Sequence, residues 1–376
     1  MNNQSGQRQQ AGIPVLPFKN EFEHRRRLIG SGLENRELDG MLVTSPASVR
    51  YLTGFTGSNG AVLALPGEAI FFTDPRYAIQ SGREVSCRTQ VCKGPILPAV
   101  AALVADRRIR RLGFERAHLS YEGFDLLRSN MRVNTSLKPV SGWLEAHRVL
   151  KSEAEIALIR RSVETNSKAF EQAARGVRPG MRERDLAAEI DYQMRLLGAE
   201  KPSFETIVAF GARSALPHAH PTGAVLKARQ PVLIDMGAFQ QGYASDMTRM
   251  LFLGAPSARM KRLYRAVLEA QLAAIDAVRP GATTARVDRV ARDVLKAYKL
   301  DRAFVHSTGH GLGLEIHELP RIGKKDKTQL AAGMAITIEP GVYLEGVGGI
   351  RIEDTVVVTP AGCEVLTPTS KDLRVV

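Results

Sequence analysis

Apolar β-type runs at 40–44, 61–65, 69–73 and 112–115 punctuate the first part of the chain, separated by segments of helical pattern. Short strands interleaved with helices predict an α/β domain. The period changes at Ser152-Glu153-Ala154-Glu155, where a serine followed three residues later by a glutamate makes a capping box. From there Ile156, Ile159, Val163, Phe170 and Ala174 fall on one helical face. The chain therefore divides into a polar, flexible tail at 1–16, an α/β domain at 17–149 and a second domain at 150–376.

The second domain echoes itself. Val177-Arg178-Pro179-Gly180 recurs as Val278-Arg279-Pro280-Gly281, each time after an alanine-rich amphipathic helix. A further helix follows each copy, built on Leu186, Ile190 and Met194 or on Val287, Val290 and Leu295. Next come an irregular histidine-bearing segment and a β-hairpin carrying two carboxylates. A duplicated α+β unit with pseudo-two-fold symmetry accounts for the pattern.

The first hairpin pairs 232–239 with 243–251. With its turn centred between Gln240 and Gln241, partner numbers sum to 481, which sets Asp235 directly against Asp246. In the second, 335–343 pairs with 349–358 and centres Glu339 and Glu353 on Gly346. Like charges side by side in apolar strands destabilise a sheet unless a cation or shared proton compensates. Between the hairpins, residues 306–317 hold three histidines: His306, His310 and His317. One imidazole with four carboxylates is an oxygen-dominated set, suited to Mn²⁺ or Co²⁺ better than to a Cys/His structural zinc site. Taken singly, Asp235 reads equally well as a strand-end acid and His317 as a structural histidine. The joint pattern points to metal.

Composition narrows the alternatives. At 376 residues, 44% hydrophobic and 24% charged, the chain is globular and long enough for two cores. Its net charge of +13 is dispersed, with 20 Lys and Arg against 13 Asp and Glu in residues 1–149 and 32 against 26 in the remainder. Without a basic arm or a recognisable motif, nucleic acid is not an expected partner. No apolar stretch is long enough to span a bilayer, and no leader pattern opens the chain. Cys87, Cys92 and Cys363 form no C-x-x-C pair, so reduced thiols and a cytoplasmic location are expected.

At these residues the sequence resembles the pita-bread metallopeptidases, in particular aminopeptidase P and prolidase. The motifs are Ile-Asp235-Met-Gly, Ser-Asp246-Met-Thr-Arg, Gly-His310-Gly-Leu-Gly, Ile-Glu339-Pro-Gly and Arg-Ile-Glu353-Asp. In the first half, Val49 to Ser58 and Thr73-Asp74-Pro75-Arg76-Tyr77 resemble a creatinase-like N-terminal domain. The resemblance implies a pita-bread catalytic domain with Asp235, Asp246, His310, Glu339 and Glu353 as ligands of two divalent ions, Mn²⁺ first, with Co²⁺ or Zn²⁺ as alternatives. Asp246 and Glu353 would bridge the ions, and Glu339 would also be catalytic. His218 matches the histidine near the scissile bond, His306 the one lining the proline pocket and His317 a transition-state donor. Tyr343 and Arg351 match pocket-shaping positions, and His220 has no counterpart. The implied activity is hydrolysis of the bond between an N-terminal residue and proline in peptides, as a homodimeric Xaa-Pro aminopeptidase. A dipeptide-restricted prolidase and a non-catalytic peptide or nucleic-acid binder on the same fold are the alternatives.

Overall fold

The computed structural model describes residues 19–131 and 135–376, so the expected tail at 1–16 lies outside the described residues. The chain divides into two compact units between Ser141 and Gly142. Helix Trp143–Arg148 thus groups with the second unit, whereas the sequence pattern places the division at the capping box that follows it.

In the first unit a six-stranded mixed sheet runs in the order Arg88–Val91, Glu68–Thr73, Gly60–Leu65, Gly40–Val43, Arg111–Glu115, Ser136–Val140. Its four inner strands are the four apolar runs of the sequence. The edge strands Arg88–Val91 and Ser136–Val140 have no fully buried residue, so they carry no hydrophobic pattern to detect.

In the second unit, helix Glu153–Ala174 starts at the expected capping box: Ser152 Oγ accepts from the Glu155 N–H at 3.3 Å, and Glu155 Oε2 accepts from the Ser152 N–H at 3.0 Å. The internal echo is present in the backbone. Gly180 and Gly281 take φ values of 84° and 80°, a left-handed conformation that favours glycine at both places. Their N–H groups donate to Leu226 O and Leu330 O at 3.0 and 2.8 Å. Isolated bridges Arg182–Val225 and Thr283–Gln329 follow, and then helices Glu183–Leu196 and Thr284–Ala297, of 14 residues each. A four-residue identity in sequence thus marks a much longer repeat of hydrogen bonding.

Helix pair Glu153–Ala174 and Glu183–Leu196 packs with Val232, Ile234 and Met236 of strand Pro231–Met236 in one apolar cluster. Helices Ala258–Asp276 and Thr284–Ala297 pack in another, which takes Leu233, Met250 and Phe252 from the opposite face of the same ladder. Burying each large apolar side chain contributes roughly 1.5–3 kcal/mol. On that second face the alternation continues from Leu233 to Asp235, and from Phe252 and Met250 to Thr248. The site begins where this face of the ladder exchanges apolar side chains for polar ones.

Among the described residues, no helix is long and apolar enough to cross a membrane.

Candidate metal centre

The first hairpin corrects the expected register. Strand Pro231–Met236 pairs with Met247–Phe252 so that Asp235 lies opposite Thr248, not Asp246. The turn residues are Gln241 and Gly242, with φ of 50° and 84°, and Gln240 faces Tyr243 across them. Two successive left-handed residues make a tight hairpin loop one position later than the sequence pattern places it. A shift of the turn by one residue moves Asp246 to a diagonal position but leaves it on the face of Asp235, because both numberings preserve the two-residue side-chain period. Both strands break here, at Gly237 and at Ser245–Asp246. A Cβ on Gly237 would lie 2.1 Å from Ser245 O, so only glycine allows this close crossing.

The second hairpin has the expected register. Ala335–Ile338 pairs with Asp354–Thr359 and Gly341–Leu344 with Gly348–Arg351, both centred on Gly346. Glu339 and Glu353 occupy the gap between these two ladders, facing each other where the hairpin twists.

His310 stands on strand Gly309–Gly311, which pairs with Ala335–Ile338. A Cβ on Gly309 would sit 1.9 Å from Thr337 O, and one on Gly311 2.1 Å from Leu319 O, so the flanking glycines let the histidine strand seat deeply. His310 Nδ1 lies 2.9 Å from Gly311 O and donates to it in the tautomer this contact requires. That leaves the Nε2 lone pair directed at the carboxylates, 3.4 Å from Glu339 Oε1 and 3.5 Å from Asp246 Oδ2. Asp246, His310 and Glu353 each offer a ligand atom within 4.8 Å of the others.

Electrostatics in the protein alone are unfavourable. Burial, then the charges of Asp235 and Glu339, hold the Asp246 carboxyl well above its ordinary pKa. Burial, then Asp246 and Glu339, do the same to Glu353. Glu339 is raised by burial, with His310 and Arg351 opposing the shift. Asp235 Oδ1 is buried and has no hydrogen-bond partner. An oxygen-rich donor set with one oriented imidazole, crowded carboxylates and an orphaned carboxylate oxygen fits divalent cations.

Around this cluster Arg351 acts as a hub. Its guanidinium donates to Asp235 Oδ2 at 2.5 Å, Tyr343 Oη at 2.7 Å, Thr248 Oγ1 at 3.0 Å and Pro217 O at 3.1 Å. His306 Nε2 lies 2.9 Å from Tyr343 Oη, and burial, then the Arg351 charge, lowers its pKa to about 4. The His317 ring packs edge-on against that of His310 with centroids 4.5 Å apart, and burial, then His310, lowers its pKa. Asp235, Asp246, His310, Glu339 and Glu353 line one cavity of about 860 Å³ together with Arg351 and His218, His306 and His317. Tyr343 supports the wall through His306 and Arg351. His220 also reaches the cavity, but it is exposed and within 3.1 Å of Glu205 Oε2.

Sequence reasoning missed Thr248 and Thr337. Thr248 Oγ1 donates to Glu353 Oε2 at 2.7 Å, and Thr337 Oγ1 to Glu339 Oε1 at 3.2 Å. Each stands two residues along the chain from a candidate ligand, Asp246 or Glu339, just beyond the end of its strand, so the two-residue period was the available signal. Asp288 was missed as well: it accepts from Thr308 Oγ1 at 2.9 Å and pairs with Arg292, which donates to His306 O at 2.6 Å.

Comparison with known proteins matches residues 157–360 to the model of metallopeptidase family M24 and residues 25–150 to the creatinase/prolidase N-terminal domain. An Xaa-Pro dipeptidase of Pyrococcus furiosus is 36% identical over 341 residues, covering 91% of this chain and 97% of the relative. Among solved structures, the Xaa-Pro dipeptidase from Bacillus anthracis superposes with a TM-score of 0.91 at 38% identity, over 95% of this chain and 99% of that one. An X-Pro aminopeptidase from Thermotoga maritima gives 0.87 at 34% identity, over 94% and 100%.

Proposed function

The chain belongs to metallopeptidase family M24, and on that premise we propose that it is an exopeptidase hydrolysing the bond between an N-terminal residue and proline. The observation that carries this reading is the convergence of Asp235, Asp246, Glu339, Glu353 and His310 with His218, His306 and His317 on a single cavity. The dipeptidase and aminopeptidase relatives support the choice of substrate.

In this reading Asp235, Asp246, His310, Glu339 and Glu353 hold two divalent cations, Mn²⁺ first, with Co²⁺ or Zn²⁺ as alternatives. Bound there, such ions supply Lewis-acid polarisation of a carbonyl and acidify water. Glu339 accepts the proton of the attacking water. His317 donates to the oxyanion that develops on the scissile carbonyl, an interaction whose loss typically costs about 10²–10³ in kcat. His218 stands near the scissile bond. His306, Tyr343 and Arg351 shape a compact pocket for the proline ring. Proline's amide nitrogen carries no hydrogen, so the pocket must recognise shape instead of an N–H donor. Unpaired Cys87, Cys92 and Cys363 support a reducing, cytoplasmic setting.

Restriction to dipeptides is favoured by one observation. Arg321 lines the same cavity, and unlike Arg148 and Arg351 its side chain has no ion pair among the described residues. A free guanidinium there suits the carboxylate of a C-terminal proline. The Mn²⁺-loaded protein should therefore be assayed on Gly-Pro, Gly-Pro-amide and Gly-Pro-Gly. Cleavage of Gly-Pro alone supports a dipeptidase, and cleavage of all three supports an aminopeptidase. A folded, loaded protein that cuts none of them contradicts the reading and leaves a binding protein.

A further inference from the structure

The segment that carries His317 is tied down by a buried ionic staple. Residues 312–317 leave strand Gly309–Gly311 and return as strand Glu318–Ile322, with Gly311 paired to Glu318. The turn is closed by Gly313 N–H donating to Glu315 O at 3.0 Å, and it is anchored to the first hairpin by Ala244 N–H donating to Gly313 O at 2.8 Å. The Glu318 carboxylate fastens it from within. Its Oε1 accepts from the Glu315 N–H at 3.1 Å and from Arg148 Nη2, and its Oε2 accepts from Lys151 Nζ at 3.0 Å. Arg148 Nη2 also reaches Glu315 Oε2 at 2.7 Å. The side chains of Arg148, Lys151 and Glu318 are 2%, 1% and 5% exposed, so these inner pairs of the staple are screened less by salt than the outer pair to Glu315. Even Gly313 is part of the fit, because a Cβ there would meet Glu318 Oε1, Glu318 Oε2 and Lys151 Cε, each at 3.0 Å.

The ladder between the two strands is short and shifts register between His310 and Gly311, so the turn beyond it depends on the side chain of Glu318. Two buried cations converge on the residue next to His317, and breaking such a cluster costs more than replacing it with apolar residues. We propose that Arg148 and Lys151, acting through Glu318, are positioning residues that fix His317 against His310 for the hydrolytic step. The inference rests on the donor role given to His317 above. Displacement of a catalytic group by about 1 Å can cost on the order of a hundredfold in rate, and among the described residues the His317 side chain makes no hydrogen bond or ion pair and stacks only on the His310 ring.

The test is a double-mutant cycle in the Mn²⁺-loaded full-length protein, using Gly-Pro hydrolysis. Glu318→Gln should lower kcat about tenfold to a hundredfold with KM and Mn²⁺ affinity nearly unchanged. In a His317→Ala background the same substitution should have no further effect on kcat, and Glu318→Asp should recover part of the loss. Should Glu318→Gln fail to fold, Glu315→Gln removes only the outer, half-exposed arm of the staple and should show the same dependence on His317 at smaller amplitude. A full additional loss in the His317→Ala background, or an unchanged kcat in folded Glu318→Gln, overturns the positioning role while leaving the peptidase reading intact. If His317→Ala itself leaves kcat unchanged, the donor role fails and takes this inference with it.

Discussion

Arg351 donates to Asp235 Oδ2 at 2.5 Å and leaves Oδ1 as the buried oxygen without a protein partner. One oxygen is therefore held by the arginine while the other remains available, in the proposed reading, to a cation. Arg351→Lys keeps the charge but loses the planar fork that reaches Asp235, Tyr343, Thr248 and Pro217 at once. We expect kcat/KM on Gly-Pro to fall about 10- to 100-fold, as for other supports of metal ligands, with the fold retained by circular dichroism. Wild-type kinetics in the lysine variant would remove the orienting role of Arg351.

Substituting the proposed ligands themselves should be more severe. Asp246→Ala and Glu353→Ala each remove a member of the tightest donor group, so activity should drop by more than about a hundredfold and calorimetric Mn²⁺ binding should be lost. His220→Ala, at an exposed residue beside Glu205, should change both little. Equal residual activities in all three variants would contradict the ligand assignment.

Thr248→Val is nearly isosteric and removes the hydroxyl that Glu353 and Arg351 share. Mn²⁺ affinity should weaken about 10-fold or more while the melting temperature of the loaded protein changes modestly. Unaltered affinity by titration calorimetry would show that the threonine only fills space.

Metal removal should make stability pH-dependent in a defined direction. Burial and neighbouring charges raise the Asp246, Glu353 and Glu339 carboxyls in the fold, so the folded protein binds protons that the unfolded chain releases. This contribution is fully present below the ordinary carboxylate pKa of about 4 and is lost as pH rises through the raised values. At neutral pH the metal-free Asp246→Asn variant should therefore melt higher than the metal-free wild type, and added Mn²⁺ should stabilise the wild type far more. A metal-free variant that melts lower than the wild type would overturn the repulsion argument.

Most of what positions the centre was legible in the sequence. The capping box at Ser152, the repeat at Gly180 and Gly281, and the centring of Glu339 and Glu353 on Gly346 are local signals with direct structural counterparts. The first hairpin was displaced because Gln241 adopts a left-handed conformation, which its identity does not advertise as Asn or Gly would. Asp235 and Asp246 still share a face, since the side-chain period survives that displacement. The staple at Glu318 was illegible for another reason. Arg148 and Lys151 are separated from it by more than 160 residues, and no periodicity links partners so far apart.

The most direct measurement is hydrolysis of Gly-Pro and of Gly-Ala by the metal-stripped protein, before and after addition of Mn²⁺. Cleavage of Gly-Pro that appears only with the metal, with Gly-Ala cut far more slowly, is the predicted result. A folded, Mn²⁺-supplemented protein that leaves Gly-Pro intact, or cuts it equally well in chelator, would contradict the account of this cavity as a metal-dependent Xaa-Pro site.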